Sequence, residues 1–293
     1  MLNKYMSVSA SDVAKLRAST GAGMMDCKKA LEEAEGDMEK AGELLRKKGI
    51  IKAAKRTDKI AAEGTTQVKA DGNIAVVLEV NSETDFVAKN EDFKKLVDEL
   101  ADYLLENKPA TMEDALSSAI QEKLDNITAK IGEKIALRRF AVVEKKDGDA
   151  FGVYSHMGGK ISVLIHLIGT TDDEFARWIA MHAAAANPKY VDRSEVPSET
   201  IEKEKEIYAE QLKQQGKPEA AIPNILKGKL DKFYSEICLL EQPFIKDEEK
   251  TITKILADKG ADVKIAKMVR YELGDGIEKK GNDFAAEVES QLS

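Results

Sequence analysis

Thr65-Thr66-Gln67-Val68-Lys69-Ala70-Asp71-Gly72-Asn73-Ile74-Ala75-Val76-Val77-Leu78-Glu79-Val80 reads as two strands folded on one turn. Thr65 to Ala70 and Ile74 to Val80 are the strands, and Asp71-Gly72-Asn73 is the hairpin signal. Downstream, Leu96, Leu100, Tyr103 and Leu104 recur at helical spacing. A second helix is expected over Met112 to Lys130, and a third strand over Ile135 to Val143.

The pattern then recurs. Phe151 to Ser155 and Ile161 to Leu167 read as strands joined across His156-Met157-Gly158-Gly159, followed by a helix from Asp172 to Ala186. Ile237-Cys238-Leu239-Leu240 reads as a further strand. A repeated strand–strand–helix–strand unit predicts an α+β fold with two related core halves, residues 62–147 and 148–245. Within the second half, Ile201, Tyr208 and Leu212 precede a turn at Gly216-Lys217-Pro218, and Ile222, Leu226, Leu230 and Phe233 follow it. Two narrow stripes around a turn predict an antiparallel helical hairpin inserted at about 196–236.

The flanks are simpler. Residues 1–51 predict a three-helix domain: Val13 and Leu16 on the first helix, Ala30, Leu31 and Ala34 on a second capped by Asp26, and Met38, Ala41, Leu44 and Leu45 on a third stopped by Gly49. Residues 52–61 form a basic linker, and 246–293 a C-terminal helical module with Ile252, Ile255 and Leu256 and a closing helix around Phe284, Ala285 and Val288.

Composition narrows the function classes. The 293 residues carry a net charge of −8, which repels phosphate backbones and argues against a primary nucleic-acid partner. The two cysteines, Cys27 and Cys238, form no CxxC, so neither a disulfide framework nor a zinc site is expected. The longest apolar run, Ile161 to Ile168, is too short to span a bilayer, and the chain reads as cytoplasmic. No phosphate-binding loop occurs, since Gly159-Lys160 runs into Ile161, and Gly21-Ala22-Gly23 follows no strand. No cofactor or metal is expected. Of the three histidines, His166 and His182 read as packing residues, while His156 at its Gly-rich turn reads as exposed.

The two halves differ at one place. Gly72 to Phe93 spans 21 positions, whereas Gly159 to Phe175 spans 16. The additional residues of the first half fall in Asn81 to Asn90, around Thr84-Asp85-Phe86-Val87. A strand-to-helix connection closes with about two to six residues, so the fold does not need them. This loop is either a functional projection, or ordinary packing with Phe86 beneath its own loop and Thr84 or Asp85 capping the next helix.

Several stretches, in order along the chain, carry a resemblance: Leu16-Arg17 with Thr20 to Leu31, Leu78 to Asn81 with Thr84 to Ala88, Lys130-Ile131-Gly132-Glu133, Ile179 to His182, and Asp283 to Val288. Together they resemble the bacterial elongation factor Ts family, in its long form with both core halves and the hairpin. The resemblance implies an N-terminal ubiquitin-associated-like domain and a non-enzymatic guanine-nucleotide exchange factor for the GTPase elongation factor Tu. It implies that Thr84, Asp85, Phe86 and Val87 dislocate the partner's magnesium, with Phe86 entering a pocket of the GTPase domain. Arg17, Met24 and Met25 would contact that domain, His156 would push its phosphate-loop region, and the C-terminal module would grip it. It also admits a dimer of such heterodimers. Two other readings stand beside it: an α+β enzyme with His156 as acid/base, and an adaptor whose core only scaffolds the N-terminal domain.

Overall fold

The computed structural model describes residues 8–20, 22–54, 56 and 58–278, so the closing helix expected around Phe284 lies outside the described residues. The chain begins with three helices, α1 (Ala10–Thr20), α2 (Met24–Glu33) and α3 (Met38–Ala54). Their core is Val13, Leu16, Cys27, Ala30, Leu31, Ala34 and Ala41. Asp26 is not the cap of α2. Gly23, in an extended conformation at φ −61 and ψ 146, holds that position, and Asp26 lies in the first turn. Glycine serves as N-cap nearly as well as aspartate, so the helix starts earlier and takes Met24 and Met25 into its first turn. Gly49 does not stop α3 either. A Cβ there would come within 3.0 Å of the Ala129 side chain, so Gly49 serves close packing against the core and α3 runs on to Ala54.

The first core half follows as β1 (Glu63–Asp71), β2 (Ile74–Ser82), a single helical turn α4 (Asp85–Ala88), α5 (Glu91–Asn107), α6 (Met112–Ala115), α7 (Ser118–Ile131) and β3 (Ala136–Glu144). The strands form an antiparallel sheet in the order β1-β2-β3. Gly72, at φ +54, makes the two-residue turn between β1 and β2. The helix expected from Met112 to Lys130 is broken. A capping box between Thr111 and Asp114 opens α6, which ends after one turn at Ala115, and α7 starts anew after Ser117. Phe93, Leu96, Leu100 and Leu104 of α5 and Ile120 and Leu124 of α7 cover Val76, Leu78 and Val80 on one face of β2.

The second half comprises β4 (Ala150–His156), β5 (Ile161–Ile168), α8 (Asp173–Ala186), the helical hairpin α9 (Ser198–Gln214) and α10 (Ile222–Ile237), the small strands β6 (Pro243–Phe244) and β7 (Asp247–Thr251), α11 (Ile252–Lys259) and β8 (Lys264–Glu272). The third strand of this half is β8, paired antiparallel with β5. The expected strand Ile237 to Leu240 is instead the end of α10, a single bridge from Cys238 to Tyr190, and a 3-10 turn. The residues expected as a purely helical C-terminal module therefore supply a core strand.

The two sheets stack face to face. Ala75 and Val77 of β2 meet Phe151, Leu164 and Val269 from the other sheet. α8 and α11 cover the far face of β5 through Phe175, Ile179, Ile252 and Leu256. The result is a helix–sheet–sheet–helix sandwich, α+β in class, in which the central strands are covered on both faces. Residues 83–90 join β2 to α5, whereas residues 169–172 join β5 to α8, so the additional residues of the first half do lie around Phe86.

Candidate protein-docking face

Phe86 is 76% exposed, the highest value among the exposed large apolar side chains of the described residues. It is not packed under its own loop. Burying a phenylalanine is worth about 1.5–3 kcal/mol, so the fold forgoes most of that stabilisation here. Its neighbours are arranged differently. Val87 is buried in the first-half core, Thr84 and Glu83 are half-buried, and Asp85 is exposed. Of the four residues, Asp85 and Phe86 face solvent. Lys89 pairs with Asp85 at 3.2 Å and lies 5.7 Å from the centroid of the Phe86 ring.

The turn that carries Phe86 is held from both sides. At its start, Thr84 donates its amide to Glu133 Oε2 at 2.9 Å and its hydroxyl to Glu133 Oε1 at 2.7 Å. Glu83 accepts from the Lys134 amide at 2.6 Å and from Arg56 Nη1 at 2.7 Å. Burial opposes ionisation of Glu83, but the Lys134 amide and the Arg56 guanidinium outweigh it and hold its carboxyl below the usual carboxylate range. At its end, Asn90 caps α5 by accepting from the Asp92 amide at 2.9 Å. Neither Thr84 nor Asp85 caps α5.

The turn after β4 sits at the same end of the sandwich. Gly159, at φ +91, is pressed against β1, where the Thr66 amide donates to its carbonyl at 2.6 Å and the Thr66 hydroxyl does so at 2.9 Å. Thr65 pairs with Val80 and Glu63 with Ser82, so this contact lies just before the Phe86 turn. His156 is exposed, and its Nδ1 lies 3.1 Å from Tyr154 Oη. Its hydrogen-bond partner is a tyrosine, and among the described residues no carboxylate pairs with it. Met157, next to it, is 71% exposed at φ +50. Position 157 carried no signal in the sequence beyond belonging to a turn.

The N-terminal helices pack on α7 through α3. Met24 and Met25 are 59% and 60% exposed at the start of α2, outside the bundle core, and Arg17 is exposed on α1. A cleft of about 530 Å³ between these helices and α7 is lined by Thr20, Gly23, Asp26, Arg46, Asn126 and Lys130. Arg46 bridges to Glu122 of α7 at 2.6 Å. α7 thus meets the N-terminal helices through Arg46 and the cleft, and Glu133, beyond its Gly132 cap, supports the Phe86 turn. Glu133 and Arg56 were not legible as site residues, because their partners lie 49 and 27 positions away.

His166 and His182 are packing residues. His166 Nε2 lies 3.0 Å from Asp149, and His182 is buried with Nε2 3.0 Å from Gln242 Oε1. Both cysteines are free and buried. Among the described residues no cluster of His, Cys, Asp or Glu is placed to hold a metal ion, and no helix is long and apolar enough to cross a membrane.

An exposed aromatic on a braced helical turn, with further exposed methionines at Met24, Met25 and Met157, is the kind of apolar surface found where proteins meet one another. The particular lineage follows from comparison with known families. The family described as elongation factor TS matches residues 83–275, beginning at the residue before Thr84. The chain belongs to this family and is a translation elongation factor.

Proposed function

We propose that this protein is a guanine-nucleotide exchange factor that binds elongation factor Tu carrying GDP, displaces its magnesium and so promotes exchange of GDP for GTP. The observation that carries the reading is the exposure of Phe86 on a turn fixed at both ends. Phe86 is the apolar wedge that enters the GTPase domain. Asp85 is its polar companion, aimed at the elements that hold magnesium and diphosphate. Thr84 and Val87 anchor the wedge, through Glu133 and through the core respectively. Arg17, Met24 and Met25 contact the partner from the N-terminal domain, and His156 from the turn after β4.

Magnesium bridges phosphate and protein oxygens, so its removal unmasks phosphate repulsion and weakens diphosphate binding. A thousandfold faster release requires about 4 kcal/mol off the barrier, more than one buried phenylalanine provides. The exposed residues on α1, α2 and the turn after β4 supply the remaining contacts. Reciprocity follows: if the factor weakens nucleotide binding, nucleotide weakens binding of the factor by the same factor, which lets GTP complete the cycle. The test is release of a fluorescent GDP from elongation factor Tu with catalytic amounts of this protein. Release accelerated in proportion to the factor supports the reading; release at the spontaneous rate refutes it.

A further inference from the structure

α4 has a single turn, closed by the Lys89 amide on the Phe86 carbonyl at 3.2 Å and the Asn90 amide on the Val87 carbonyl at 2.9 Å. An isolated turn of this length has no stability of its own. Thr84 stands at its N-cap position but makes no side-chain cap to α4. Its hydroxyl and amide both go to Glu133, which accepts one bond on each carboxylate oxygen. The adjacent pair is reciprocal, with Glu83 accepting from the Lys134 amide at 2.6 Å. Gly132, in the left-handed region at φ +85, turns the chain at the end of α7 so that Glu133 reaches this position.

We infer that Glu133 is a positioning residue for nucleotide exchange: by holding Thr84 at two atoms it fixes the direction in which Phe86 leaves the core. The inference rests on the exchange reading proposed above. Glu133 works through the wedge without touching the partner's nucleotide. Bonds to an ionised acceptor are about twice as strong as neutral ones, which suits a carboxylate to hold a turn that cannot hold itself. Without the brace, Phe86 samples directions that do not fit the partner, and the productive fraction falls.

The experiment is a double-mutant cycle on GDP release from elongation factor Tu, with Glu133→Ala, Phe86→Ala and the double variant. Glu133→Ala is expected to slow stimulated release about tenfold at a temperature where the variant is still fully folded, its melting temperature only modestly lowered by the two lost bonds, and to slow release no further once Phe86 is alanine. Glu133→Gln, which keeps an acceptor oxygen, is expected to fall between wild type and Glu133→Ala. In the free protein, hydrogen exchange of the Thr84 amide is expected to quicken in Glu133→Ala. Equal slowing by Glu133→Ala in both backgrounds overturns the inference, as does an unchanged release rate or an unchanged Thr84 amide. If Phe86→Ala alone leaves release unaltered, the wedge itself fails, and any effect of Glu133→Ala then comes from elsewhere and overturns the positioning role too. Should Glu133→Ala not fold, Thr84→Val, which removes only the hydroxyl bond, takes its place in the same cycle.

Discussion

Phe86 touches solvent over most of its surface, so its truncation removes little that holds the fold together. Phe86→Ala is expected to leave the melting temperature unchanged or slightly higher. It should slow stimulated GDP release tenfold or more, since about 1.4 kcal/mol corresponds to one decade. A cooperative loss of folding would assign Phe86 to packing instead. Met157 makes a complementary case. Its φ of +50 places a long side chain in the left-handed region, which costs about 1–2 kcal/mol. Met157→Gly removes that cost, partly offset by the greater freedom of glycine in the unfolded chain, and is expected to stabilise by up to about 1 kcal/mol. Stimulated release should slow in the same variant, because the exposed side chain beside His156 is gone. A variant both more stable and fully active would remove the turn from the partner-facing surface. At this scale the additional loop around Phe86 was legible because the two halves differ in length there, whereas the projection of its ring into solvent, rather than its packing, is legible only from its exposure in the structure. Glu133 was not, because a carboxylate after a helix is ordinary until its partner is known.

Elements were legible where periodicity was strong and misread where an apolar run was short. Ile237-Cys238-Leu239-Leu240 is apolar enough for a strand, yet Cys238 and Leu239 are fully buried in a helix end and a 3-10 turn. Short apolar runs do not distinguish strand from other buried segments. The true third strand, Lys264-Ile265-Ala266-Lys267-Met268-Val269-Arg270-Tyr271-Glu272, is an edge strand with three lysine or arginine residues, and its pattern is correspondingly weak. The turn after β4 yields a sharper expectation. A Cβ on Gly159 would lie 2.1 Å from Thr65 Oγ1 and 2.9 Å from the Thr66 carbonyl oxygen, at a φ of +91. Gly159→Ala must therefore push the turn off β1 and break the bonds from Thr66, costing about 2 kcal/mol or more. Chemical denaturation should show that loss, and stimulated release should slow because His156 moves with the turn. Unchanged denaturation midpoints would mean that the docking of this turn on β1 contributes nothing.

The way the two sheets meet was not legible, because a hydrophobic pattern marks faces as buried without saying what buries them. Glu79, on the inner face of β2, is fully buried and accepts from Arg138 Nη1 at 2.9 Å, Arg139 Nε at 2.6 Å, Asn81 Nδ2 at 3.0 Å and the Gly274 amide at 2.8 Å. Gly274 follows β8, so this carboxylate ties the first half to the last strand of the second. Burial raises the Glu79 pKa, but these donors outweigh it and hold the carboxyl below its ordinary value. A depressed native pKa means that the unfolded chain binds the proton more readily. The stabilisation is therefore complete above the unfolded pKa of about 4.3 and is lost as pH falls through the lower native value. Glu79→Gln is expected to cost about 2 kcal/mol or more at pH 7, since it leaves two arginines facing a neutral group. It should also flatten the loss of stability on acidification below pH ~4, measured by denaturant melts of both proteins across that range. Parallel pH profiles would show that another carboxylate governs the acid limb. The same knot bears on the docking face. The Leu273 amide donates to the Lys160 carbonyl at 2.8 Å, and a Cβ on Gly274 would lie 2.6 Å from the Ala62 carbonyl oxygen. The end of β8, the turn after β4 and the start of β1 are thus one packed unit beneath the Phe86 turn. Loosening it at Glu79 should lower the rate of stimulated release at pH 7 even though Glu79 itself is beyond the reach of any partner.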